Sequence, residues 1–302
     1  MPRDDGVQQA KGVQTLALIG LLLCCLLWGT TFVVVKDAVS RMPVMDFLAW
    51  RFAIAAVAMA AARPRAVARL DRRGRALGVV LGVALGGGYI AQTVGLQHTS
   101  ATISGFLTGL LVVFTPLCAA VALRRPPDRL TWLGVALATA GLGAISLHGL
   151  SIGYGEAITL LCALLFALHI LGLGEWSSSY DAAGLAVMQL TTVAVLSIAS
   201  AAPQSLAPPP DAKAWGAVVF TAILATSVAF FIQTWSQAHL PATRAAVVLT
   251  MEPVFAGIFG VTVGGDRLGP RIVIGGVLVL AAMYTVELGP RRSRDALVQR
   301  FE

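Results

Sequence analysis

Residues 15–35, TLALIGLLLCCLLWGTTFVVV, run for 21 residues without a charged side chain. A bilayer hydrocarbon core of roughly 30 Å takes about 20 helical residues to cross. The stretch therefore predicts a membrane-spanning helix. Nine more apolar stretches follow, at 44–62, 76–96, 101–123, 130–148, 155–173, 183–201, 214–236, 241–263 and 271–288. They are rich in Leu, Ala, Val and Gly and show no apolar/polar alternation, which favours helices over a barrel. The expected fold class is an all-α integral membrane protein with ten transmembrane helices. The composition agrees: only 12% of the 302 residues are charged, against about 25% in a soluble domain. Mean hydropathy is +0.80, too apolar for a surface that must stay wet.

The ten stretches divide into two groups of five. An odd number of crossings ends on the side opposite its start, so a second copy of such a unit must sit upside down. Inverted repeats of this kind are typical of secondary transporters. Residue matches support the repeat. Asp128-Arg129-Leu130 and Asp266-Arg267-Leu268 each precede the last stretch of a half, at an offset of 266 − 128 = 138. The same offset sets Trp28 against Phe166 and Asp37 against Glu175. Gln92-Thr93 matches Gln233-Thr234, and His98 matches His239, at 141; Pro116 matches Pro253 at 137. The last match would make Thr115 the counterpart of Glu252.

The formal charge of +7 comes from basic residues in short loops, where they act as topology signals toward anionic lipid. No nucleic-acid partner is expected. Arg63, Arg65, Arg69, Arg72, Arg73 and Arg75 crowd one loop. This bias places both termini in the cytoplasm. The expected organisation is a cytoplasmic tail at 1–14, five-helix units at 15–148 and 155–288, and a basic cytoplasmic tail at 289–302. The connection 202–213, with Pro203 and Pro208-Pro209-Pro210, is expected to be extended and non-helical. Cys24, Cys25, Cys118 and Cys162 all lie in apolar stretches and form neither a disulfide framework nor a metal spacing.

The chain resembles a known family at this level. Trp28-Gly29-Thr30-Thr31-Phe32 is similar to the W-G-x-x-F start of EamA-type members of the drug/metabolite transporter superfamily. Arg51-Phe52, Thr99-Ser100-Ala101, Glu252-Pro253-Val254-Phe255 and Asp266 fit the same pattern in order. One departure is Arg124-Arg125-Pro126-Pro127, where the family often has G-E. The resemblance implies two inverted five-helix repeats around a cavity formed mainly by stretches one, three, four, six, eight and nine. It also implies alternating access and, in most members, export of metabolites or amino acids. The expected activity is export of a small metabolite, amino acid or drug-like compound across the cytoplasmic membrane. No Walker loop is present, so a proton gradient or the substrate's own gradient is the expected driving force. Expected partners are the substrate, the bilayer, protons and, as a candidate assembly, a second copy in a homodimer. No cofactor or metal is expected.

The candidate pathway residues are Trp28, Arg51, Tyr89, Gln92, Pro116, His169, Gln233, Glu252 and Pro253. A charge inside a membrane is costly and marks function by default. Glu252, near the middle of stretch nine, is either a substrate or proton contact or a structural carboxylate. Pro116 and Pro253 read as symmetric midplane kinks that free the carbonyls of Val112 and Leu249. Arg51 either attracts an anionic group, or snorkels or pairs with a carboxylate such as Asp46 to hold helices together. His169 is either bonded to a neighbouring helix or faces the cavity. Gln92 and Gln233 either line the pathway or bridge helices. Trp28, Tyr89, Phe106, Phe166 and Trp235 are either an aromatic wall or packing. Gly78, Gly82 and Gly86 read as close helix packing. Two other readings stay open. Gly149-Leu150-Ser151-Ile152-Gly153 matches G-x-S-x-G, which admits an intramembrane hydrolase using Ser151 or His169. A non-transporting membrane scaffold is the third.

Overall fold

The structure, a computed structural model, describes residues 4–122, 124, 129–148, 151–176, 179–204, 206–239 and 248–288. The first half holds α1 (Asp4–Val39), α2 (Val44–Ala62), α3 (Arg72–His98), α4 (Ala101–Gly109), α5 (Leu111–Ala122) and α6 (Arg129–Ser146). The second holds α7 (Tyr154–Trp176), α8 (Ala182–Ala201), α9 (Ala212–Val219), α10 (Ala229–His239), α11 (Glu252–Thr262) and α12 (Pro270–Leu288). A π-helical stretch, Phe220–Val228, joins α9 to α10. Among the described residues, seven helical spans are long and apolar enough to cross a membrane, and three shorter apolar helices cover 129–145, 252–262 and 270–286. Helix α1 also continues N-terminally through the polar residues from Asp4 onward.

The principal packing pairs are unchanged when the halves are exchanged. Helix α3 packs on α7, and α10 packs on α1. Helix α3 packs on α8, and the π stretch on α2. Helices α4 and α5 pack on α7, and α11 packs on α1. The pairs α2–α8 and α6–α12 map onto themselves, and α4–α11 joins stretch four to stretch nine. Small residues permit the approach. A Cβ on Gly78 would lie 2.6 Å from Met188 Cβ, so the glycines of α3 do face α8.

Two breaks recur at one register. Stretch four divides at Leu110, whose N–H donates to Leu107 at 3.1 Å. Stretch nine divides at Thr250–Met251, where the Met251 N–H donates to Val248 at 2.9 Å. Both residue pairs differ by 141 (251 − 110 and 248 − 107), and both bonds span three residues rather than four. This corrects the matching of the prolines. Pro253 occupies the first turn of α11, where no N–H is needed. Pro116 sits inside α5. Glu252 therefore corresponds to Leu111, the first residue of α5 (252 − 111 = 141), and not to Thr115.

The connections carry caps and polar ties. Asp71, Asp181 and Asp211 accept the N–H of Gly74, Gly184 and Ala214 at 2.7, 2.8 and 2.7 Å. The Gly184 N–H, helped by Arg69, holds the Asp181 carboxyl below the usual carboxylate range. Its contribution is therefore present at neutral pH and is lost as pH falls through that lowered value. Asp181→Ala is expected to cost about 1 kcal/mol, read as a lower thermal midpoint in detergent; Asp181→Asn should keep most of it. At the opposite face, Asp37 holds Arg41 at 3.0 Å and Lys213 at 2.9 Å. The 202–213 connection is not wholly extended: Ala202–Gln204 make a single 3-10 turn that accommodates Pro203 near its start. Arg124 has φ of 52°, a left-handed conformation that glycine adopts more readily. Residues 125–127 lie outside the described residues.

Candidate functional site

The π stretch organises the interior. Its apolar run is interrupted by Thr221, Thr226 and Ser227, hydroxyls that compete for helical carbonyls. Thr226 Oγ1 donates to the Thr221 carbonyl at 2.8 Å, and Ser227 Oγ donates to Ala222 at 3.1 Å. Both bonds reach back five residues, the span of a π turn. Trp28 Nε1 donates to the Ala225 carbonyl at 2.8 Å. Its ring stands edge-on to Phe230 at 5.9 Å.

The first half presents the matching pair. Tyr89 and Phe166 meet edge-on at 5.2 Å. Tyr89 corresponds to Phe230 at 230 − 89 = 141, and Phe166 to Trp28 at 166 − 28 = 138. Tyr89 also touches Phe52 at 4.8 Å. Trp28, Tyr89, Phe166 and Phe230 are all half-buried. The expected aromatic wall divides at this point. Phe106 lies against Gly276 of α12, and Trp235 packs with Leu21 and Val248.

Glu252 is half-buried and opens α11 at the break. It remains near the middle of stretch nine, but the break there makes it the first residue of a helix, with Pro253 beside it in the first turn. Its carboxylate lies within electrostatic reach of Cys25, Tyr89 and Cys162. The N-terminal end of a helix favours such a negative charge. Cys25 Sγ donates to the Val248 carbonyl at 3.3 Å, and Cys24 Sγ to Ala229 at 3.3 Å. Among the described residues no cation pairs with Glu252.

Arg51 is 3% exposed. The expected pairing with Asp46 is not formed: Asp46 Oδ2 accepts the Ala207 N–H at 3.3 Å instead. Arg51 Nε and Nη2 both donate to Thr226 Oγ1, at 3.3 and 3.2 Å. Its guanidinium lies 5.2 Å from the centroid of the Phe52 ring and 4.8 Å from that of Tyr89. The remaining candidates bridge helices or line the interior. Gln92 Nε2 donates to Thr108 Oγ1 at 3.3 Å, tying α3 to α4. His169 Nε2 lies 2.6 Å from Gln189 Oε1, tying α7 to α8. Gln233 is half-buried in α10, and Pro116 half-buried in α5. Thr226, Phe230 and Thr108 were not singled out in the sequence. The hydroxyls inside apolar stretches were the available signal for two of them, and the 141 offset from Tyr89 for the third.

Ser151 forms no nucleophile elbow. It pairs with His148 in a two-residue antiparallel ladder between α6 and α7. That ladder precedes α7, and His169 lies about 22 Å along α7 from its start, so the two are not brought together.

Comparison with known proteins gives a consistent picture. The model of the EamA-like transporter family matches residues 15–147 and again 153–288. An uncharacterized transporter of Archaeoglobus fulgidus is 33% identical over 280 residues, covering 92% of this chain and 88% of that protein. A probable terminal-alkyne amino-acid exporter of Streptantibioticus cattleyicolor is 26% identical over 291 residues, covering 91% and 96%. A protein of known crystal structure shares the fold, with a TM-score of 0.64 at 17% identity over 95% of this chain and 98% of that one.

Proposed function

The chain belongs to the EamA-like transporter family, a multi-pass membrane protein of the transporter class, and from this we propose a secondary transporter working by alternating access. It exports a small metabolite, amino acid or drug-like compound across the cytoplasmic membrane. Ten crossings form two inverted units, 15–148 and 155–288, with both termini cytoplasmic. The exchange-invariant packing pairs and the shared break register support the repeat. The arginine-rich connection around Arg69 supports the orientation.

The observation that carries the proposal is Glu252: a half-buried carboxylate at an internal helix break, among Cys25, Tyr89 and Cys162. Carriers of inverted-repeat design place their sites at interrupted helices near the midplane. Trp28, Tyr89, Gln92, Phe166, Phe230 and Gln233 then line the pathway. A proton or the substrate gradient drives the cycle. The test begins with a compound-toxicity screen of cells with and without the gene. Any protective hit is then followed as counterflow in proteoliposomes of the purified full-length protein. Absence of protection across the screen, with no exchange of any hit, would remove the proposal.

A further inference from the structure

The guanidinium of Arg51 has no counter-ion among the described residues. It has five N–H donors in a planar fork, and two of them share one uncharged oxygen, Thr226 Oγ1. That hydroxyl gives its own proton to Thr221, so its lone pairs face Arg51. The Phe52 and Tyr89 rings attract a cation electrostatically, and the Tyr89 hydroxyl is within reach of the fork, but neither brings a negative charge. Asp46 is engaged with Ala207, and Glu252 does not pair with Arg51. A charged group so placed within a membrane helix calls for a partner.

The other half carries a neutral side chain at the matching position. The counterpart of Arg51 is Gln189, at 189 − 51 = 138. There a neutral amide makes the interhelix bond, to His169 at 2.6 Å. Gln189 joins α8 to α7 of its own half, whereas Arg51 reaches from α2 to the π stretch of the other half. The positive charge at position 51 is a departure from the repeat, which has an uncharged residue at the matching position.

We infer that Arg51, flanked by Tyr89 and Thr226, is the subsite for a single carboxylate of the transported molecule. The inference rests on the transporter reading above. A guanidinium fork matches a carboxylate in a bidentate, planar pair. One cation balances one negative charge, so the cargo carries a monocarboxylate rather than a polyanion. Tyr89 touches Arg51 on one side and Phe166 on the other. Tyr89 and Phe166 are half-buried, so the Tyr89 ring stands between the buried guanidinium and the less buried Phe166.

The test uses the full-length protein in lipid nanodiscs, with sodium acetate as the smallest carbon-bearing carboxylate probe and acetamide as its neutral match. Acetate is expected to raise the thermal midpoint by about 2–4 °C over sodium chloride at equal ionic strength, and acetamide is not. Arg51→Gln places in the first half the residue used in the second. It is expected to lose the acetate response and to melt no lower than the parent, because it sheds an unpaired charge. Arg51→Lys should keep a reduced response. The subsite is overturned by no acetate response, by equal responses to acetate and acetamide, by a response that survives in Arg51→Gln, or by an Arg51→Gln midpoint several degrees below the parent. Counterflow separates the two proposals. Exchange without an acetate response removes the subsite alone; an acetate response without exchange removes the transporter reading alone.

Discussion

Glu252→Gln is expected to lower counterflow exchange by about 10- to 100-fold, the effect of losing a hydrogen bond to a charged partner, while leaving the protein folded. The amide keeps the size of the carboxylate and its place in the first turn of α11. It removes only the charge. That charge sits where a helix begins inside the apolar layer, a position that favours an anion. It is half-buried rather than fully buried. Glu252→Ala should lose at least as much activity. Undiminished exchange in both variants would remove Glu252 from the mechanism. Cys25→Ser serves as a control, since a hydroxyl can still donate to the Val248 carbonyl that the thiol now reaches at 3.3 Å.

The second large effect concerns packing beside that site. Ala256 of α11 is fully buried and wedged between Gly29 of α1 and Gly105 of α4. A Cβ on Gly29 would lie 2.5 Å from Phe255 Cβ and 2.9 Å from the Ala256 backbone nitrogen. A Cβ on Gly105 would strike Ala256 Cβ. Backbone cannot rotate aside as a side-chain tip can. Gly29→Val is therefore expected to push α1 from α11 at a cost of about 3 kcal/mol, the upper range for overpacking. Thermal unfolding in detergent should show the loss directly, and exchange should fall with it because Trp28 is displaced from Ala225. Gly216→Ala is the matched control: nothing lies within 4 Å of its added Cβ, and it should be neutral or mildly stabilising. Equal midpoints for Gly29→Val and the parent would show that the α1–α11 contact is not tight.

Much of this molecule was legible in the residues. Trp28 against Phe166 gave an offset of 138 that holds in the packing, and Gln92 against Gln233 gave the 141 at which both helix breaks fall. The small residues of α3 were readable as a contact face because their spacing has little other use in a membrane helix. The prolines misled. Pro116 and Pro253 look alike in the sequence, yet one lies inside α5 and the other in the first turn of α11. A proline states only that one N–H is missing. Whether a helix bends or restarts there depends on what else satisfies the freed carbonyls. Arg51 misled in the same way: Asp46 is near in sequence, but its carboxylate is claimed by the 202–213 connection.

The sequence alone determined the apolar segments, their doubling and the family. A bilayer imposes length and apolarity on each crossing separately, so the constraint is local and can be read residue by residue. Tertiary structure alone decided the register of the breaks, the π stretch that presents Thr226 and Ala225, and the isolation of Arg51 from any carboxylate among the described residues. These depend on which distant groups meet each donor and acceptor. In a medium without water that matching must be completed between helices.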